Sequence, residues 1–492
     1  MKKYIIGIDE GTTSARTLIY DAIDNKIVNI VNEKFKQYFP KPGWVEHDAN
    51  EIWKVVEKTL LQNIKETKIK IDEIIGLGIT NQRESIVAWD KDTGESICPS
   101  IVWQCRRTSD YCKSLKIPFK NYIKKKTGLI VDPYFSATKI KWLLENNSNV
   151  KKLLEKDRLC IGTIDSFITF KLTKGEKFIT DTSNASRTML YDINNLCWDK
   201  KLLKKFNIPE KILPQVVSNG EELGIAHTKI GDIKIGAILG DQQASLFGQG
   251  CFDKGLAKAT YGTGCFILSN TGDKPIHNNK MLSTIAWTIN NKTTYALEGS
   301  IFNAGTVVNF MIDNLGLMES NKESSAIANS VENTNGLYFV PAFTGMGAPY
   351  WNSNARGSIV GITRGTTKQH IIRAGLESMA YNTLDIINCM EKAKNIKVQE
   401  LRVDGGVSRN EFLMQFQADM LGRKVLKASS SESTVLGVIY LTGLSLNHYK
   451  SLKEIKNIIK PSIIYTNKIT NKKRIQLHNG WLKAVKKTIG EN

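Results

Sequence analysis

No apolar run in the 492 residues approaches the length a bilayer-spanning helix needs. The opening Met1-Lys2-Lys3 leads into an apolar stretch that stops at Asp9, too short for a signal-peptide core. The expectation is therefore a cytoplasmic protein without membrane insertion. Eight cysteines are scattered with no C-x-x-C pair, and Cys98, Cys105 and Cys112, although evenly spaced, match no zinc pattern. Six histidines supply no such pattern either, so the thiols read as free, in a reducing compartment. His47 lies between Glu46 and Asp48, a grouping that reads as a capped turn before it reads as a metal site. Asp48 is placed to be the N-cap of a helix starting near Asn50. A Pro-rich linker and low-complexity segments are also missing. So are the P-loop pattern G-x-x-x-x-G-K-[ST] and the protein-kinase signature set, which excludes both of those nucleotide sites.

Lysine is what the chain has in excess: the formal charge is +20. A nucleic-acid groove interleaves basic residues with stacking aromatics, and no segment does so. Short clusters such as Lys124-Lys125-Lys126 and Lys472-Lys473-Arg474 read as a solvated surface that attracts anionic metabolites, so no nucleic-acid partner is expected.

A chain of 492 residues is too long for one core, and alternating strand and helix patterns point to an α/β fold of two domains. The run 4–8 and the run 15–20 form a hairpin about Asp9-Glu10-Gly11-Thr12-Thr13. A helix over 51–65 follows, then strands over 74–80 and 85–89, read as a hairpin that carries Arg83 and Glu84. Helices are expected over 134–145 and 165–171. Near Gly240 the pattern restarts: a strand over 235–239, a helix over 242–247, and a second hairpin, 256–261 with 265–269, about Gly262-Thr263-Gly264. The architecture repeats although the residues do not. The division expected is 1–250 and 251–492, around a shared cleft.

Glycine lets backbone N–H groups approach phosphate oxygens. Gly11-Thr12-Thr13-Ser14 offers such a turn with three hydroxyls and Arg16 one step on, and Asp9 stands where a carboxylate holds magnesium through water. Gly262-Thr263-Gly264 is a second turn of this kind; taken alone, either one is more often simply a hairpin. A third glycine site, Asp404-Gly405-Gly406, joins the strand 401–403 to a helix over 411–421, where a nucleoside can lie flat or the chain can simply turn. Asp241, between a strand end and a helix, reads as either a helix cap or a catalytic base.

These segments together resemble the FGGY carbohydrate kinase family, and within it the members that phosphorylate glycerol. Asp9–Ser14, Pro42–Asp48, Ile79–Glu84, Val102–Thr108, Asp132–Lys139 and Gly240–Ala244 carry the likeness in the first half. Tyr261–Phe266, Ala348–Trp351 and Asp404–Asn410 carry it in the second, all in family order. The resemblance implies the two-domain actin-like ATPase (ribonuclease H-like) fold with a cleft between the domains. It implies transfer of the γ-phosphoryl group of ATP to glycerol with Mg2+, in a homo-oligomer, a dimer or tetramer. By motif it assigns nucleotide contacts to Thr12, Thr13, Ser14, Arg16, Thr263, Gly305, Gly406 and Asn410. Acceptor contacts fall on Arg83, Glu84, Tyr134, Asp241 and Gln242, with Trp103 and Phe266 as apolar walls, Asp241 as the base and Asp9 toward the metal. Glu10 and Asn309 stand where the family usually has glutamine; Glu10 is expected to add negative charge beside the phosphate turn. Another FGGY kinase acting on a pentulose or other polyol is the nearest alternative. A nucleotide switch of the actin and heat-shock-chaperone type shares the phosphate hairpins but has no need of the acceptor cluster.

Overall fold

The strand Tyr4–Glu10 is buried on both faces, which explains its unbroken β-branched run. It pairs antiparallel with Ser14–Asp21, which pairs with Lys26–Lys34. On its other side it runs parallel to Ile74–Asn81, itself parallel to Gly231–Gly240. The computed structural model describes residues 2–393 and 397–490. The second half repeats this order. Ala257–Tyr261 pairs antiparallel with Cys265–Gly272, which pairs with Lys292–Ile301. On the opposite side Leu401–Asp404 and then Val425–Ala428 add in parallel.

The two arrays form one thirteen-stranded sheet. They meet where the hairpin Gly220–Thr228 with Gly231–Gly240 touches the hairpin Leu282–Ile289 with Lys292–Ile301. The ladder there is one pair, Gly220 with Ile289. The helix Ser433–Ser445 belongs to the second half in sequence, yet it lies against strands of the first half and against the helix Asp241–Gly248. Helix Ala49–Thr67 covers the first array with Ile52, Val56, Leu60 and Ile64, and Asp48 caps it by accepting from the amides of Asn50 and Glu51.

Parallel register sets the site. Glu10 stands opposite Asn81, and Asn81 opposite Gly240, so three strands end level with one another. The residues after them emerge along one edge, where ligands sit in α/β sheets. In the second half Thr260 stands opposite Asp404, which brings the turn 262–264 beside Gly405.

Three expectations need correction. Ile74–Asn81 and Ile86–Asp90 are not a hairpin: the second strand leaves for a five-stranded sheet with Leu159–Thr163 and Ser100–Ile101. The departure is made at Glu84, whose φ is 63°. The helix expected over 134–145 is Ser136–Asn146, because Tyr134 is held outside it by its amide bonding Asp132 at 2.8 Å. The lysine cluster 124–126 is only partly a solvated patch. Lys124 bonds the carbonyls of Gly128 and Met281, and Lys126 pairs with Asp192. All eight cysteines are free. Among the described residues no helix is long and apolar enough to cross a membrane.

Candidate active site

The first turn, Gly11–Ser14, is closed by Gly11 N donating to Ser14 O at 2.9 Å, and Thr13 is exposed to the cleft. Thr12 Oγ1 accepts from Trp103 Nε1 at 3.0 Å, so the apolar wall is tied to the phosphate turn. Arg16 pairs with Asp9 at 2.5 Å and with Glu432 at 2.7 Å. The second turn is stitched to the start of the helix Gly305–Asn309. Thr263 O accepts from the amides of Ala304 and Thr306, and Gly262 O accepts from Gly305 N. Gly405 has φ 88°, and a Cβ there would fall 2.3 Å from Tyr261 O; Gly406 has open space beside it. Asn410 is mostly committed to structure. Its Oδ1 accepts from Leu413 N to cap the helix Glu411–Leu421, and its Nδ2 donates to Ser324.

Beside the first turn sits a buried cluster of charges. Arg83, 2% exposed, donates Nη1 to Gln243 (3.1 Å) and Glu298 (2.6 Å), and Nη2 to Glu298 (3.3 Å). Its Nε lies 3.1 Å from Asp241 Oδ1. A guanidinium has five N–H groups, so one at Nη2 remains for an acceptor. Glu84 Oε1 accepts from Arg187 Nε at 2.6 Å, which leaves the second oxygen for a hydroxyl. A glutamate in the left-handed region is strained by roughly 1–3 kcal/mol, and such strain gathers at working sites. Trp103 and Tyr134 meet edge to face at 5.5 Å. Phe266 lies half-buried on the strand Cys265–Gly272, opposite Ser300.

Asp241 opens the helix Asp241–Gly248, and its side chain is 30% exposed. Withdrawal from water pushes its carboxyl above the usual range; Arg83 opposes the shift and Glu84 adds to it. Gln242 bridges Asp241 and the buried Lys258, whose Nζ donates to Gln242 Oε1 at 2.5 Å and Thr260 Oγ1 at 2.8 Å. Burial lowers the Lys258 ammonium, against the pull of Asp404 and Asp241.

Glu10 ends the strand that leads into the first turn. It is fully buried and accepts from Gln82 Nε2 at 2.7 Å. Burial pushes its carboxyl well up, Gln82 opposes, and Asp9 and Asp241 add to the rise. That shift runs against the negative charge expected beside the turn. Asn309 lines a separate cavity of about 640 Å³ with Phe310, Phe339 and Phe343. His47 is buried with both ring nitrogens unpartnered, packed on Phe35, and its imidazole falls to about 4 through burial. Among the described residues no three His, Cys, Asp or Glu side chains are grouped to hold a metal ion. A lone carboxylate such as Asp9 fits a magnesium that keeps most of its waters and arrives on a phosphate.

Residues 4–248 match the N-terminal domain of the FGGY family of carbohydrate kinases, and residues 257–446 match its C-terminal domain. The chain belongs to this family. It is 48% identical to glycerol kinase of Desulforamulus reducens over 99% of its own length and 98% of that protein. Identity to glycerol kinase of Lactobacillus acidophilus is also 48%, over 99% and 98%. The crystal structure of Plasmodium falciparum glycerol kinase with ADP superposes with TM-score 0.93 at 38% identity, covering 99% of this chain and 98% of that one. The fold is accordingly the two-domain actin-like ATPase arrangement of the FGGY kinases.

Three buried charges at the site were missed in the sequence: Arg187, Lys258 and Glu298, each 0% exposed. The signal was available in two of them. Glu298 follows the apolar run Tyr295-Ala296-Leu297, and Lys258 follows Leu256-Ala257, each in a buried stretch of strand. A charge in a buried strand needs a partner, so each pointed to an ion pair across the fold.

Proposed function

We propose that this FGGY kinase transfers the γ-phosphoryl group of ATP to a terminal hydroxyl of glycerol, giving sn-glycerol 3-phosphate and ADP. The observation that carries the reading is the cluster of Arg83, Glu84 and Asp241. It offers one free guanidinium N–H, one free carboxylate oxygen and a base within a few ångströms, the set a short polyol needs. Near-full-length similarity to proteins named glycerol kinase supports the same substrate.

Arg83 donates to a hydroxyl and Glu84 accepts from its neighbour. Tyr134, Trp103 and Phe266 cover the carbon chain and exclude water. Asp241 takes the proton of the attacking hydroxyl as its oxygen bonds to the γ-phosphorus and the bond to the ADP oxygen breaks. Its raised pKa makes it a better proton acceptor than an ordinary carboxylate. Gln242 holds the carboxylate and lends a further polar contact to the acceptor. Thr12, Thr13, Ser14 and Arg16 on one side and Thr263 on the other receive the phosphates. Gly305, Gly406 and the Asn410 turn receive the nucleoside. Magnesium carried by the nucleotide would be held near Asp9 through water and would neutralise phosphate charge. We place the division between the acceptor-bearing and nucleoside-bearing halves after residue 250. The test is a panel of glycerol, longer polyols and ketoses, with ATP, read by ADP release. Glycerol should give the highest kcat/KM; a pentulose ahead of it would overturn the substrate.

A further inference from the structure

Arg83 and Glu84 are both held by buried charged groups, Glu298 and Arg187. Glu298 stands on the strand Lys292–Ile301 of the second half, 0% exposed. Its carboxylate accepts from Arg83 Nη1 at 2.6 Å and Nη2 at 3.3 Å, and from Arg187 Nη2 at 2.9 Å. Arg187, also 0% exposed, sends its Nε to Glu84 Oε1 at 2.6 Å, while its Nη1 has no partner. The contacts run Asp241–Arg83–Glu298–Arg187–Glu84, and the ring closes where Arg83 Nε approaches Glu84 Oε1 at 3.9 Å. Signs alternate around the ring. Burial would raise the Glu298 carboxyl, but Arg187 and Arg83 outweigh it and hold it down to about 2.

We infer that Glu298 and Arg187 are positioning residues for the acceptor, and that Glu298 is the link by which the second half fixes the acceptor site of the first. This rests on the glycerol kinase reading. Both guanidinium groups are almost fully buried and are held by carboxylates that are buried with them. The side of Arg83 that Glu298 occupies is therefore the side denied to substrate, and the remaining N–H is aimed by exclusion. Arg187 does the same for Glu84 by taking Oε1. Glu298 also lies two residues from Ser300, the ladder partner of Phe266, so anchor and apolar wall share one strand pair and one face of the sheet. A carboxylate is required at 298. An amide there would accept through one oxygen only and turn an NH2 group toward an arginine, leaving at least one buried guanidinium N–H without its acceptor.

The experiment compares Glu298→Gln, Arg187→Lys and wild type for KM of acceptor, KM of ATP, nucleotide affinity by equilibrium binding, and melting temperature. Expected for both variants is an acceptor KM raised tenfold or more with nucleotide affinity within about twofold of wild type. The double variant should cost less than the product of the single effects, since both break one ring. Unchanged acceptor KM in a folded variant overturns the inference. Equal loss of acceptor and nucleotide affinity also overturns it, because a merely structural residue would do that. Should Glu298→Gln fail to fold, Arg187→Lys, which keeps the charge but loses the two-pronged contact, carries the same test. The wild-type panel keeps the two claims apart. If wild type prefers another acceptor, the substrate reading fails and the variants are read on that acceptor.

Discussion

Asp241 is pulled in two directions. A base must be ionised to accept a proton, and its approach to Arg83 at 3.1 Å favours ionisation. Partial burial and Glu84 raise its pKa and so strengthen it as a base. Asp241→Asn keeps the oxygen beside Arg83 but cannot take the proton. Turnover should fall by about 10²–10⁴-fold with nucleotide affinity unchanged; near-wild-type kcat in the folded variant would refute the role. His47 gives a prediction on stability instead. Its imidazole sits at about 4 in the fold against 6.5 when free, so the unfolded chain binds the extra proton between those values. Stability is therefore whole above pH 6.5 and declines as pH falls toward 4, by up to about 3 kcal/mol from this group. In urea melts from pH 7 to 4.5, His47→Leu should lose less stability than wild type by that margin; parallel curves would refute it. Most site residues were legible in sequence because each lies in a short motif whose chemistry is local. The turn hydroxyls, Asp241 and the Arg83-Glu84 pair are of that kind. Arg187 is not, and Glu298 signals only that it needs a partner, because the pairing lies between positions more than a hundred residues apart.

At the scale of elements, strands and turns were read well wherever both faces are buried or a glycine sets the turn. The helix Glu411–Leu421 has the bounds its pattern predicts. The pairing of strands was less legible: two adjacent runs were joined as a hairpin, yet a backbone reversal at Glu84 sends them to different sheets. Nothing in a local pattern reports such a reversal at a glutamate, a residue that rarely adopts positive φ. The crossing of the helices Asp241–Gly248 and Ser433–Ser445 was equally hidden. Gly248 and Gly437 face one another there, and a Cβ on Gly437 would lie 1.9 Å from the carbonyl oxygen of Ala244. The two backbones are in contact, and neither can retreat without moving the strand ends that carry Asp241. Helix propensity alone would make Gly437→Ala stabilising by about 1 kcal/mol. The close approach should reverse that sign and leave the variant about 1–3 kcal/mol less stable in urea unfolding. A neutral or stabilising result would mean that the helices separate freely.

At the scale of the whole molecule, the two halves touch along very little of the sheet. One turn, Gly11–Ser14, and the acceptor cluster belong to the first array; the turn 262–264 and Gly405-Gly406 belong to the second. The arrays share a single ladder pair, Gly220 with Ile289, so the sheet between them has little to resist bending. The buried ring through Glu298 and the helix crossing at Gly437 hold the base of the cleft, while its mouth is lined by exposed residues such as Thr13, Gly262 and Thr263. A nucleotide whose phosphates touch both turns is bound better when the turns approach, so ligand binding should favour a closed form. Small-angle scattering of wild type should then give a smaller radius of gyration with a non-hydrolysable ATP analogue and glycerol together than with neither, and protease cleavage near residues 262–264 should slow. Glycerol alone should do less, since the contacts proposed for it lie mostly within the first half and reach the second only through Phe266. Gly437→Ala, by forcing the two helices apart at the crossing, should weaken the change even where it leaves each ligand's contacts intact. A radius and a cleavage rate that stay constant across all ligand states would show that the two turns are already at their working distance, and that the single ladder pair is not a point of bending.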